Sequence, residues 1–168
     1  LDLIRLQIEL AAGKKLEQSE YFPSGCAIEC RINAENPFDN FKPSPGKILN
    51  YQPSGGYGVR IDSHVYYGYV IPPFYDSMIA KLIVHGATRE QALARMDKAL
   101  SQTHIVGLQS NVQFLRHVVN SESFVSANLD TGLIPREEQA LFNQKPIDKV
   151  LAVAAAVANT LQSEANGA

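Results

Sequence analysis

Cys26-Ala27-Ile28-Glu29-Cys30-Arg31-Ile32-Asn33-Ala34-Glu35 sorts into two chemically opposite sets of side chains. A strand points successive residues to opposite faces, so the stretch reads as one strand. Cys26, Ile28, Cys30 and Ile32 pack inward, while Ala27, Glu29, Arg31, Asn33 and Glu35 share the other face. There an arginine bracketed by carboxylates and an amide would be posed toward an anionic or carbonyl-like group. The alternative is an ordinary solvated strand with a charge ladder, because exposed strand faces are commonly polar.

Downstream, Asn36-Pro37-Phe38-Asp39-Asn40-Phe41-Lys42-Pro43-Ser44-Pro45-Gly46 contains three prolines and a glycine. They forbid helix and impose an extended, turn-rich path that Phe38 and Phe41 can anchor. Lys47 to Gln52 resumes as a short strand. Pro53-Ser54-Gly55-Gly56-Tyr57-Gly58 is glycine-dense, but it runs into Val59-Arg60-Ile61 rather than into a helix, so a phosphate loop is rejected. Further strands are expected at Val59 to Ile61, His64 to Val70 and, after Pro72-Pro73, Tyr75 to Val84, giving an antiparallel sheet. Counted on the face of Met78, Ala80 and Leu82, Asp76 is expected to be buried and paired, in a structural role.

The C-terminal half reads as helical. Thr88-Arg89-Glu90-Gln91 has the form of a capping box, and Ala92, Leu93, Met96, Ala99 and Leu100 recur at helical spacing, with Met96 as core. Ser110-Asn111-Val112-Gln113 reads as a second box, opening a helix with Phe114, Leu115, Val118 and Val119 on one side. Ser121 to Pro135 carries loop and breaker signal. From Pro146, with Asp148 as N-cap, an alanine-valine run reaches about Leu161, and Ser163 to Ala168 loses periodicity as a fraying linker. At the other end, Leu1 to Gly13 is an amphipathic helix with an Arg5–Glu9 pair and a wide apolar face that wants a partner. It starts without methionine, as expected of a piece cut from a longer protein.

The 168 residues can bury one sizeable core, and a formal net charge of −2 offers no field to attract nucleic acid or an anionic membrane. The apolar run near Val150 to Val157 is too short to span a bilayer, so the chain is expected to be soluble and cytoplasmic. Cys26 and Cys30 lie about 13 Å apart along one strand, too far for a disulfide or a shared metal, and read as buried thiols. His64, His85, His104 and His117 show no ligand spacing, so no metal site is expected.

Four strings occur in register and in the order seen in biotin carboxylases of the ATP-grasp superfamily: Glu29-Cys30-Arg31-Ile32-Asn33-Ala34-Glu35, Pro43-Ser44-Pro45-Gly46-Lys47-Ile48, Gly55-Gly56-Tyr57-Gly58-Val59-Arg60, and Pro72-Pro73-Phe74-Tyr75-Asp76-Ser77-Met78-Ile79-Ala80-Lys81-Leu82. The resemblance runs from Leu1 to about Asn128 and covers only the C-terminal part of that enzyme. Beyond Pro135 the chain departs from the pattern. Cys30-Arg31-Ile32-Asn33 and Pro43-Ser44-Pro45-Gly46 look more like carboxylases of acetyl-CoA and related acyl-CoA substrates, hence fatty acid biosynthesis, than like pyruvate carboxylase.

The resemblance implies an α+β fold, an antiparallel sheet with packed helices, preceded by a helix left over from the ATP-grasp region. It divides the chain into residues 1–13, the end of that region; 14–135, the C-terminal domain; and 136–168, a helical tail and linker toward a biotin carrier. In the family, ATP and Mg2+ activate bicarbonate and the carboxyl group passes to biotin. The nucleotide loop, metal carboxylates and base lie upstream of Leu1, so the fragment alone is expected to be inactive, with no cofactor bound. Arg31 matches a family residue that binds biotin and bicarbonate, and Tyr57 and Arg60 match positions at the homodimer interface. The partners implied are a carboxyltransferase subunit and a biotin carboxyl carrier protein or domain. The rival reading is a non-catalytic interaction module, or the equivalent domain of pyruvate or urea carboxylase.

Overall fold

In the computed structural model, which describes residues 1–17, 20–143 and 148–166, the elements run as follows. They are α1 (Leu3–Ala11), β1 (Cys26–Asn33), β2 (Glu35–Asn36), β3 (Lys42–Pro43), β4 (Gly46–Lys47), β5 (Asn50–Gln52), β6 (Val59–Ser63), β7 (Val70–Ile71), β8 (Met78–Gly86), α2 (Arg89–Gln102), β9 (His104–Val106), α3 (Val112–Asn120), α4 (Glu122–Val125), α5 (Leu133–Arg136), α6 (Glu138–Leu141) and α7 (Lys149–Asn166). The fold is α+β, as expected. Its main sheet is antiparallel with order β1-β8-β6, and β2-β3, β4-β7 and β5-β9 form two-stranded ribbons.

The alternation read at β1 is the alternation observed. Ile28, Cys30 and Ile32 are buried opposite Val84, Leu82 and Ala80 of β8, and α2 lays Ala92, Met96, Ala99 and Leu100 on that face. Cys26 is only half-buried, because it sits at the open end of the strand. Cys30 is a buried thiol, and that burial, with Glu29 beside it, pushes its pKa up to about 12. Thr88 caps α2 by accepting from the Gln91 amide at 3.3 Å.

Several strand limits differ from expectation. The strand at Cys26 ends at Asn33, where the register slips after Ile32. Lys47 to Gln52 is broken at Ile48, which is fully buried, so it serves two ribbons rather than one strand. His64 to Val70 is mostly a turn: His64 and Tyr66 each pack edge-on against Tyr69, Gly68 takes φ +85°, and only Val70–Ile71 pairs. β8 begins at Met78, so Asp76 lies outside the strand, exposed, and its carboxylate accepts from the Met78 amide at 2.8 Å. Its expected burial is therefore corrected.

The Ser121 to Pro135 stretch contains α4 and the start of α5, each a single turn. With α6 they close a second, smaller core in which Leu141 is fully buried beside Phe114 and Leu133. Phe41 and Phe142 join it, Phe41 lying 5.2 Å edge-on from Phe114 and Phe38 6.2 Å from Phe142, so the proline-rich loop is anchored by the two phenylalanines expected to do so. Asn40 and Phe41 both adopt left-handed backbone, φ 51° and 56°, a conformation the ring contacts stabilise. α7 starts behind Asp148, whose carboxylate accepts from the Val150 amide at 2.9 Å. It continues through the stretch expected to fray, to Asn166; Pro146, Gly167 and Ala168 lie outside the described residues. The Arg5–Glu9 pair of α1 closes at 3.0 Å, and the helix buries none of its apolar residues in this chain. No helix of the described residues is long and apolar enough to cross a membrane.

Candidate functional site

The outer face of the main sheet carries the charged residues. Register places Arg31 opposite Lys81 and Lys81 opposite Asp62 in one row, and Glu29 opposite Ile83 and Ile83 opposite Arg60 in the next. Arg31 and Arg60 therefore share one face, separated by a single strand. The Arg31 side chain is 67% exposed and touches Glu29 only loosely, at 3.8 Å. With Lys81 directly across, this end of the face presents two cations. Such an arrangement suits a ligand on which negative charge resides or develops.

The backbone beneath Arg31 is held far more tightly than its guanidinium. Asn111, 7% exposed, reaches the free edge of β1: its Oδ1 accepts from the Asn33 amide at 2.8 Å, and its Nδ2 donates to the Arg31 carbonyl at 3.0 Å. Its own amide donates to the Asn33 carbonyl at 3.2 Å. The Asn33 carboxamide donates to Glu35 at 3.2 Å, leaving its Oδ1 buried with no partner among the described residues, and Ser77 donates its hydroxyl to the same Glu35. The amide and two carboxylates read around Arg31 are thus present, but only Glu29 approaches the guanidinium.

Asn111 was missed from the sequence. Ser110 and Gln113 mimic a capping box, yet the residue before α3 is Asn111, and its side chain makes no capping bond to that helix. Gln113 lies instead 3.2 Å from the His117 ring. The second expected box is therefore absent, because the carboxamide that would cap α3 is engaged on β1. The available signal was an asparagine immediately ahead of an apolar helical run.

Tyr57 projects from the turn before β6 and is 92% exposed. Arg95 of α2 places its guanidinium 5.5 Å from the ring centroid and donates to the His85 carbonyl, so the tyrosine stands on a fixed support. Arg60 is bound to Asp62 through Nε–Oδ1 at 2.9 Å and Nη2–Oδ2 at 2.8 Å. Pro53 to Gly58 leads into β6 and not into a helix.

Residues 29–136 match the family model "Biotin carboxylase C-terminal domain". Biotin carboxylase 1 of Bacillus subtilis is 52% identical over 79% of this chain and 30% of its own length. The matching pyruvate carboxylase polypeptide of Methanothermobacter thermautotrophicus is 40% identical over 97% of this chain and 38% of its own. Among solved structures, the biotin carboxylase domain dimer of Hydrogenobacter thermophilus 2-oxoglutarate carboxylase, in complex with MgADP, ADP and bicarbonate, superposes with a TM-score of 0.79 at 35% identity. It does so over 86% of this chain and 32% of that one. The chain spans about a third of the length of the curated relatives it matches.

Proposed function

Because this chain belongs to the biotin carboxylase C-terminal domain family, we propose that it gives an ATP-dependent carboxylase its substrate-facing arginine and its dimer contact. The observation that carries the reading is Arg31: an open guanidinium on a strand whose backbone is bonded on both edges. Biotin, when bound, supplies a ureido nitrogen as carboxyl acceptor and a ureido oxygen on which charge develops. Arg31 donates charge-assisted hydrogen bonds to that oxygen and to bicarbonate as the charge appears, and its planar fork addresses two oxygens at once. Lys81 adds positive potential from the neighbouring strand.

On this reading residues 1–13 end the ATP-grasp region, which holds ATP and Mg2+. Residues 14–135 form the C-terminal domain. Residues 136–168 form the tail toward the carrier, beginning with a stretch whose Leu141 and Phe142 dock on the domain. Tyr57 and Arg60 contact a second copy. The carrier protein or domain and a carboxyltransferase complete the assembly, with an acyl-CoA as final acceptor. The chain alone is inactive, and calorimetry with magnesium-ATP is silent. A micromolar Kd for the chain alone would contradict the assignment of the nucleotide site to the upstream region.

Joining an ATP-grasp region ahead of Leu1 tests the function itself. The assembled protein is expected to carboxylate biotin in the presence of bicarbonate and ATP. A folded assembly that binds ATP yet forms no carboxybiotin would favour the interaction-module reading. Acceptor assays with acyl-CoA, pyruvate and urea then separate the carboxylase classes.

A further inference from the structure

We propose that Asn111 is the positioning residue for Arg31, clamping the strand that carries it and so fixing the point from which the guanidinium reaches the substrate. This rests on the reading of Arg31 as substrate-facing. An asparagine ahead of a helix ordinarily turns its side chain onto the helix's own free amides and stabilises the first turn. Asn111 makes no such bond to α3. Its carboxamide goes instead to β1, 78 and 80 residues back along the chain, accepting from the Asn33 amide and donating to the Arg31 carbonyl.

With the Asn111 amide bonded to the Asn33 carbonyl, these three bonds take the place of a neighbouring strand at the free edge of β1. They fall where the register with β8 slips, after Ile32, which is where the sheet by itself specifies the backbone least. Only a carboxamide supplies a donor and an acceptor side by side for this purpose; a carboxylate has no donor and a hydroxyl is too short to reach both. The Arg31 guanidinium, 67% exposed and 3.8 Å from Glu29, has little holding it at its tip. What the fold fixes is therefore the Cα from which the side chain reaches, and with it the space the guanidinium can address. A misplacement of about 1 Å at a reacting centre costs on the order of 100-fold in rate.

The test uses an intact biotin carboxylase carrying this chain, with Asn111→Ala and Asn111→Asp made alone and together with Arg31→Ala. Each position-111 variant is expected to lower kcat for biotin carboxylation by about tenfold or more, with KM for ATP unchanged. On top of Arg31→Ala, Asn111→Asp is expected to add less than about twofold, because the group it positions is gone. Wild-type turnover in Arg31→Ala would overturn the reading of Arg31 and this proposal with it. If Arg31→Ala is impaired, three results overturn the positioning role and leave Arg31 standing. They are normal turnover in folded Asn111→Asp, a full additional penalty in the double variant, or failure of both position-111 variants to fold.

Discussion

Arg116 of α3 grips Asp97 of α2 with two donors, Nε to Oδ1 at 3.0 Å and Nη2 to Oδ2 at 3.3 Å, and Asn120 adds a third at 2.9 Å. The clasp ties the helix lying on the sheet to the helix whose preceding residue, Asn111, holds β1. Bonding to Arg116, reinforced by Asn120, outweighs partial burial and lowers the Asp97 pKa from its ordinary 3.8. A carboxylate lowered in this way adds stability above its ordinary value, and the contribution is lost as pH falls through the lowered folded value.

Asp97→Asn is therefore expected to destabilise the chain by about 1 kcal/mol at neutral pH, as for a well-formed, partly exposed pair. The gap should shrink as the pH falls below 3.8. Denaturant titrations of both proteins at neutral and acid pH report it. A gap that does not change with pH would show that the clasp acts through packing and not through charge.

Leu141→Ala is expected to cost about 3 kcal/mol, since it opens a cavity in a fully buried site. Leu141 shares its core with Phe114, against which Phe41 packs edge-on, so the 37–43 loop should lose hydrogen-exchange protection in the same variant. A cost under about 1 kcal/mol would mean that residues 133–142 do not depend on this core.

How much of this was legible follows from the range of the interactions. β1 and α2 could be read because their periodicity runs over many residues and their signals are local: Ile28, Cys30 and Ile32 in one, Thr88 and the Ala92-Met96-Ala99 spacing in the other. β9 is three residues long and its partner β5 lies some fifty residues earlier, so no window contains the pair. α4, α5 and α6 are four residues each, too short for a helical period to show. His64 to Val70 has strand-forming composition, but its aromatic rings pack on one another. The site divides the same way. Arg31 could be found from alternation, whereas Asn111 could not, because its partners are fixed only by the tertiary fold.

Replacing Tyr57 and Arg60 by alanine in the intact carboxylase is expected to weaken self-association. An aromatic that is 92% exposed yet held on a guanidinium is pre-organised for a partner surface. Sedimentation velocity across a concentration series measures the dimer constant. An unchanged constant would return both residues to the solvated surface.

Arg31→Lys in the intact carboxylase tests most directly whether Arg31 stabilises charge on the substrate. Lysine keeps the positive charge but loses the planar fork that engages two oxygens. Steady-state kinetics should show biotin-dependent turnover lower by about 100-fold, the scale of losing one such donor, with ATP binding nearly untouched. Wild-type turnover with biotin would contradict that role and leave Arg31 a solvated residue of an edge strand.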